Sequence, residues 1–155
     1  MKKRCVVIDP ILGECTEAQY DGYEGLKSLM MGRPFCTVLF TPTDGTKDPW
    51  VLFCDDEGLL VPGQSFFVIR NYEQPLGGRA VLCGPIDDEG DNRSLTASVD
   101  EISLAVRFLS PDEARRWFTS QGRRPLITVT AIDDDGNLTS QPGSDLTYGD
   151  VAQNC

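Results

Sequence analysis

Apolar residues fall along this chain in short runs separated by clusters of turn formers, and the runs carry two different periods. Val6-Val7-Ile8 ends at Asp9-Pro10, a pair that stops both helix and ladder, which predicts a central strand over Arg4–Ile8. Tyr23, Leu26, Leu29 and Met30 then recur at helical spacing behind Asp21-Gly-Tyr-Glu24, which has the form of a capping box. They predict a helix over Gly22–Met31. Phe35–Phe40 and Trp50–Cys54 predict two strands around a segment dense in Pro, Gly, Thr and Asp, and further strands are expected at Leu59–Val61, Phe66–Arg70 and Arg79–Cys83. Ser98-Val-Asp-Glu101 opens a helical stretch whose apolar positions are Ile102, Leu104, Ala105, Phe108 and Leu109. Ser110-Pro-Asp-Glu113 opens another at once, with a first-turn proline and two acids. Ala114, Trp117 and Phe118 form its inner face, and Arg115, Arg116 and Gly122 suit its far end. A last strand is expected over Pro125–Ile132, and the chain from Leu138 onward is polar and loosely patterned.

Strands and helices in this arrangement predict an α+β fold, a mainly antiparallel sheet of five to seven strands packed against two or three helices. At 155 residues the chain suits one domain, here residues 1–139, with 140–155 a polar tail open to mobility. Apolar residues make up 40% of the chain and charged ones 25%, which is a globular composition. The longest apolar runs fall far short of the ~20 residues needed to cross a bilayer, and Cys5-Val-Val-Ile8 is too short for a signal core. The expected compartment is the cytoplasm. The cysteines at 5, 15, 36, 54, 83 and 155 form no Cys-x-x-Cys; those at 5, 36, 54 and 83 lie in or beside apolar runs and read as small buried thiols, whereas Cys15 and Cys155 read as more exposed.

The chain has 24 acidic against 14 basic residues, a net charge of −10, and no histidine. Without imidazole there is no Ser-His or Cys-His nucleophile pair and no His-liganded zinc, so no metal site and no cofactor is expected. The acidity makes direct nucleic-acid or membrane binding a poor expectation, because both rely on basic side chains. Much of it comes from a recurrence: Asp55-Asp-Glu-Gly58, Asp87-Asp-Glu-Gly90 and Asp133-Asp-Asp-Gly136 each follow an apolar run, as suits a type I turn closed by a left-handed glycine.

None of the catalytic or ligand-binding patterns is complete. A calcium loop starting at Asp133 has Leu138 where glycine belongs and Ser144 where glutamate belongs; one starting at Asp87 has Asn92 and Ser98. Gly63-Gln-Ser65 lacks the closing glycine of a nucleophile elbow, and Gly77-Gly78 is followed by Arg79 rather than Lys-Ser or Lys-Thr. Paired carboxylates give no sequence signal, since so many acids make chance pairs easy.

Several stretches carry a resemblance: Val6-Val-Ile-Asp-Pro10, Leu26-Lys-Ser-Leu-Met-Met-Gly32, Asp56-Glu-Gly-Leu-Leu60, Gly78-Arg-Ala-Val-Leu-Cys-Gly84, Asp87-Asp-Glu-Gly-Asp91 and Ser94-Leu-Thr96. On these, residues 4–109 resemble a family carried by phages and integrative mobile elements, the domain of unknown function 3846 family, with 110–139 an added helix and hairpin. Where members have a proline–asparagine–arginine element, this chain reads Val61-Pro-Gly-Gln-Ser65. The resemblance implies a mobile-element protein in a bacterial host. The leading expectation is therefore a non-enzymatic binding protein, an inhibitor of a bacterial defence system of the anti-CRISPR or anti-restriction kind. Its partner would be a host protein, such as a nucleic-acid-binding defence protein, met by Asp55, Asp56, Glu57, Asp87, Asp88, Glu89 and Asp91; a homodimer is compatible with this. The alternatives are a sponge for a small anionic ligand such as a nucleotide, held by Arg70, Arg79 and Arg93 with Tyr72 or Trp50 against the base, and a carboxylate-based enzyme.

Overall fold

The computed structural model describes residues 1–41, 49–121, 131–132 and 138–139. Its largest element is a five-stranded antiparallel sheet built from β1 (Lys3–Asp9), β2 (Glu14–Tyr20), β3 (Phe35–Phe40), β4 (Trp50–Asp55) and β7 (Ala80–Cys83), in the order β2-β1-β7-β4-β3. Strand β7 is central and all four of its residues are buried, as expected of a strand covered on both faces. A second antiparallel sheet joins β5 (Phe66–Ile69), β6 (Leu76–Gly77) and β8 (Val106–Leu109) in the order β6-β5-β8. Three helices, α1 (Gly22–Leu29), α2 (Val99–Ala105) and α3 (Pro111–Ser120), complete an α+β fold dominated by sheet. Ala131–Ile132 (β9) and Leu138–Thr139 (β10) pair with each other.

Strand alternation distributes the core into layers. On one face of the main sheet Cys5, Val7, Val81 and Cys83 meet Leu26 and Met30, at the end of α1, together with Tyr20. On the other face Val6, Ile8, Leu52 and Leu82 meet Phe67, Ile69 and Leu76 of the second sheet and Ile102 of α2. The outer face of the second sheet, carrying Phe66 and Leu109, is covered by Ala114 and Phe118 of α3, with the Phe66 and Phe118 rings 5.6 Å apart.

Several local expectations are corrected. Glu14–Tyr20 forms an edge strand where a loop was expected; only Tyr20 in it is buried, so it has no apolar alternation to announce it. The expected strand at Leu59–Val61 is a 3-10 turn over Gly58–Leu60. The helix expected to run on through Leu109 stops at Ala105, and Val106–Leu109 pairs with β5 instead; Leu104, counted as an inner position, is 81% exposed. Helix α1 ends at Leu29 rather than Met31, with Met31 and Gly32 at positive φ. Asp21 makes no cap bond and takes the N-terminal ammonium at 3.2 Å, whereas Ser110 and Glu113 complete a true capping box on α3. Cys5, Cys54 and Cys83 are buried free thiols, but Cys36 is half-buried and disulfide-bonded rather than a thiol. The expected strand at 125–130, the acidic turn at 133–136 and the tail at 140–155 lie outside the described residues. Among those described, no helix is long and apolar enough to cross a membrane.

Candidate functional site

The register of the main sheet decides where the acidic runs go. Strands β4 and β7 are antiparallel, with Val51 opposite Cys83 and Cys54 opposite Ala80. The run that follows β4 therefore emerges where β7 begins, and the run that follows β7 emerges at the other end of the sheet. At ~3.4 Å per residue, about 10 Å or more of strand separates them. Asp55, Asp56 and Glu57 are thus not brought together with Asp87, Asp88, Glu89 and Asp91.

At the first end the acids are largely consumed. Asp55 is 6% exposed; its carboxylate accepts Arg33 Nε at 2.8 Å and the Glu57 amide at 2.9 Å. The Asp55 hydrogen bond is the main reason the Arg33 guanidinium is held more firmly protonated than usual. Glu57 lies 3.7 Å from the same guanidinium, leaving Asp56 as an exposed acid whose carboxylate pairs with no cation among the described residues. Asp9 is also buried: Oδ1 accepts the Ile11 and Leu12 amides across the β1–β2 turn, and Oδ2 lies 3.5 Å from Arg79 Nη1. These two buried carboxylates are matched by arginines and backbone donors, the arrangement that buried ions require. Sequence reading took Asp9 only as a strand stop and missed Arg33 and the buried Gln64, whose amide holds the Gly58 carbonyl at 2.9 Å. An aspartate closing an apolar strand was the available signal, but its partner lies far away in sequence.

The second end is different. From Pro85 to Arg93 the chain makes a tight antiparallel excursion: Arg93 N donates to Pro85 O at 2.8 Å, Asp87 N to Asp91 O at 2.7 Å, and Ile86 bridges Asn92. Gly90, at φ +88°, closes the turn in the left-handed conformation that glycine adopts without cost, as the acidic-turn pattern predicts, whereas Gly58, for which the same pattern predicts it, has no positive φ and opens a 3-10 turn. Asp87 organises the loop, its Oδ1 accepting the Glu89 and Asp91 amides at 2.9 and 3.0 Å. The Asp91 amide is the chief reason its carboxyl sits below the ordinary carboxylate range. Asp88, Glu89 and Asp91 point to solvent on this frame, beside Ile86, which is 47% exposed. The base of the loop is anchored by Asn92 Nδ2 on the Gly84 carbonyl (3.0 Å), and its return limb by Leu95 N on the Arg4 carbonyl (2.9 Å).

The ligand residues expected of a sponge do not converge on one site. Arg79 is at the first end of the sheet, tied to Asp9. Arg93 is exposed at the second end, where Trp50 begins β4 half-buried against the main core. Arg70 is exposed at the end of β5, and Tyr72 packs into the core, where desolvation raises its pKa. A cleft of about 330 Å³ lies elsewhere, lined by Val68, Arg107, Leu109, Glu113, Arg116 and Trp117. Within it Glu113 accepts Arg107 Nη1 at 2.7 Å and the Ser110 amide at 3.2 Å.

Comparison with protein-family models, with curated proteins and with solved structures returned no match.

Proposed function

We propose that the protein is a non-enzymatic binding protein that docks on a basic protein surface through the acidic loop 85–91. The observation that carries this reading is the preorganised loop: Asp87 satisfies the Glu89 and Asp91 amides, so Asp88, Glu89 and Asp91 are presented on a fixed frame with Ile86 as an apolar neighbour. A frame already ordered before binding loses less entropy on docking, and clustered like charges steer a complementary surface. The run at Asp55–Glu57 plays a smaller part, since Asp55 and Glu57 face Arg33. The resemblance to phage and mobile-element proteins suggests the partner, a host defence protein whose basic face normally holds nucleic acid. A carboxylate-based enzyme draws less support, because Asp9 and Asp55 are each matched by an arginine.

The test is affinity capture from a bacterial host lysate with two baits, the native chain and D88K/E89K/D91K, at low and high salt. The native bait is expected to enrich a nucleic-acid-binding defence protein in a salt-sensitive manner, and the variant to lose it. Equal recovery on both baits rejects the loop as the docking surface. A second reading, a binder of small anionic ligands, is favoured by one observation, the cleft in which Trp117 stands beside Arg107 and Arg116. Calorimetry against a panel of nucleotides decides it: saturable heats lost in R116A support this reading, and flat traces remove it.

A further inference from the structure

The β1–β7 register pairs Val6 with Leu82, Val7 with Val81 and Ile8 with Ala80, so the next step places Cys5 opposite Cys83. Both side chains fall on the same face, in the cluster under α1, and both are free thiols with no exposed surface. The phase of the ladder also follows from the hydrogen bonds. Arg4 turns its amide to Ser94 Oγ (3.1 Å) and its carbonyl to the Leu95 amide (2.9 Å), toward the side on which β7 lies. Its neighbour Cys5 must then turn both backbone groups the other way, toward β2. The β1–β7 ladder itself ends at Val6 and Leu82, because Arg4 bonds Ser94 and Leu95 where Gly84 would otherwise stand. Continued one residue further, the register makes Cys5 and Cys83 a non-hydrogen-bonded position, the type in which Cα atoms lie ~4.5 Å apart, inside the roughly 4.4–6.8 Å span a disulfide bridges. The buried Tyr20 hydroxyl lies against the Cys83 thiol in this cluster, within side-chain hydrogen-bonding reach of its sulfur.

We propose that Cys5 and Cys83 are a latent cross-strand disulfide site, closed when the chain folds in the presence of a small-molecule disulfide oxidant. With glutathione disulfide as that oxidant, one protein thiolate attacks it, forms a mixed disulfide and releases one glutathione thiolate. The second protein thiolate attacks the protein sulfur of the mixed disulfide and expels the other glutathione. Two protein thiols lose two protons and two electrons, and one glutathione disulfide becomes two glutathiones. Burial pushes Cys5 up to about 12 and Cys83 up to about 11, so the folded protein holds almost no thiolate and exchange belongs to the open or folding chain. Once made, the bridge ties β1 to β7 at the point where Arg4 also holds Ser94 and Leu95, the return limb of the acidic loop.

The experiment is refolding of the full chain in mixed reduced and oxidised glutathione, followed by alkylation and peptide mapping by mass spectrometry without reduction. A peptide linking Cys5 to Cys83, lighter by two hydrogens, is expected; a melting temperature raised by oxidation and lowered by reductant is read in the variant below, from which the Cys36 disulfide is absent. The same link is expected in C15S/C36S/C54S/C155S. Cys54 is the internal control, because it belongs to the opposite face of the sheet and should remain unlinked to either thiol. Alkylated Cys5 and Cys83 in the refolded wild-type chain, or either of them linked to another cysteine, overturns the proposal whether or not the fourfold variant folds.

Discussion

Gly84→Ala isolates what holds the acidic loop in place. A Cβ built on Gly84 would stand 2.5 Å from the Arg93 carbonyl oxygen, 2.7 Å from that of Ser94 and 3.0 Å from the Ser94 carbonyl carbon. These are backbone atoms and cannot swing aside as a side chain would. Optimal non-bonded carbon contacts lie near ~3.5–4 Å, so the return limb must retreat by about 1 Å. That retreat strains the bonds that seat it, Gly84 N to Arg93 O at 3.2 Å and Leu95 N to Arg4 O at 2.9 Å. Overpacking of this kind costs ~1–3 kcal/mol and each weakened hydrogen bond about 1 kcal/mol, giving an expected loss of about 3 kcal/mol. Gly84 is not among the positive-φ glycines, so alanine meets no backbone strain and the steric effect stands alone. Gly13→Ala is the complementary control: φ is +68° and no atom lies within 4 Å of a Cβ there, so only conformational strain of about 1 kcal/mol is expected. Urea denaturation followed by circular dichroism reads both, at unchanged denaturant slope. A Gly84→Ala variant within about 0.5 kcal/mol of the native protein, or no worse than Gly13→Ala, refutes the close approach.

Two further outcomes follow from the electrostatics. Asp55→Ala strands Arg33 beside a buried end of the sheet; loss of one partner of a buried pair costs ~3–5 kcal/mol, but Arg33 is 41% exposed and regains water, so about 2 kcal/mol is expected. Asp56→Ala should stay within about 0.5 kcal/mol, and equal effects at the two positions by denaturant midpoint would contradict the pairing. The Asp87 carboxyl, held low first by the Asp91 amide, binds its proton less readily folded than unfolded. Its contribution to loop order is therefore complete above the ordinary aspartate value of about 3.9 and disappears as pH falls through the lower folded value. A carboxyl NMR titration should give a midpoint for Asp87 below that ordinary value; a midpoint at or above it would contradict the hydrogen bonds.

Local chemistry was readable where a residue's role depends on its own neighbours in sequence. Val6–Ile8, Val51–Phe53 and Ala80–Cys83 announce buried strands because strands covered on both faces need unbroken apolar runs. Ser110 and Glu113 announce a helix start, since a capping box is complete within four residues. The Asp87–Gly90 turn is likewise local, carried by an aspartate and a glycine that bond their own loop. Everything that depends on a distant partner was left to the tertiary structure. Glu14–Tyr20 became a strand because β1 offered it a full register, against a polar pattern that promised a loop. Val106–Leu109 left its helix because β5 presented an open edge that pairs all four residues. Two look-alike acidic runs received opposite fates, one folded onto Arg33 and the other presented to solvent, because antiparallel β4 and β7 deliver them to opposite ends of one sheet. Pattern along a chain records which residues prefer burial; which charge ends beside which is decided by register, a relation between strands that no single segment carries.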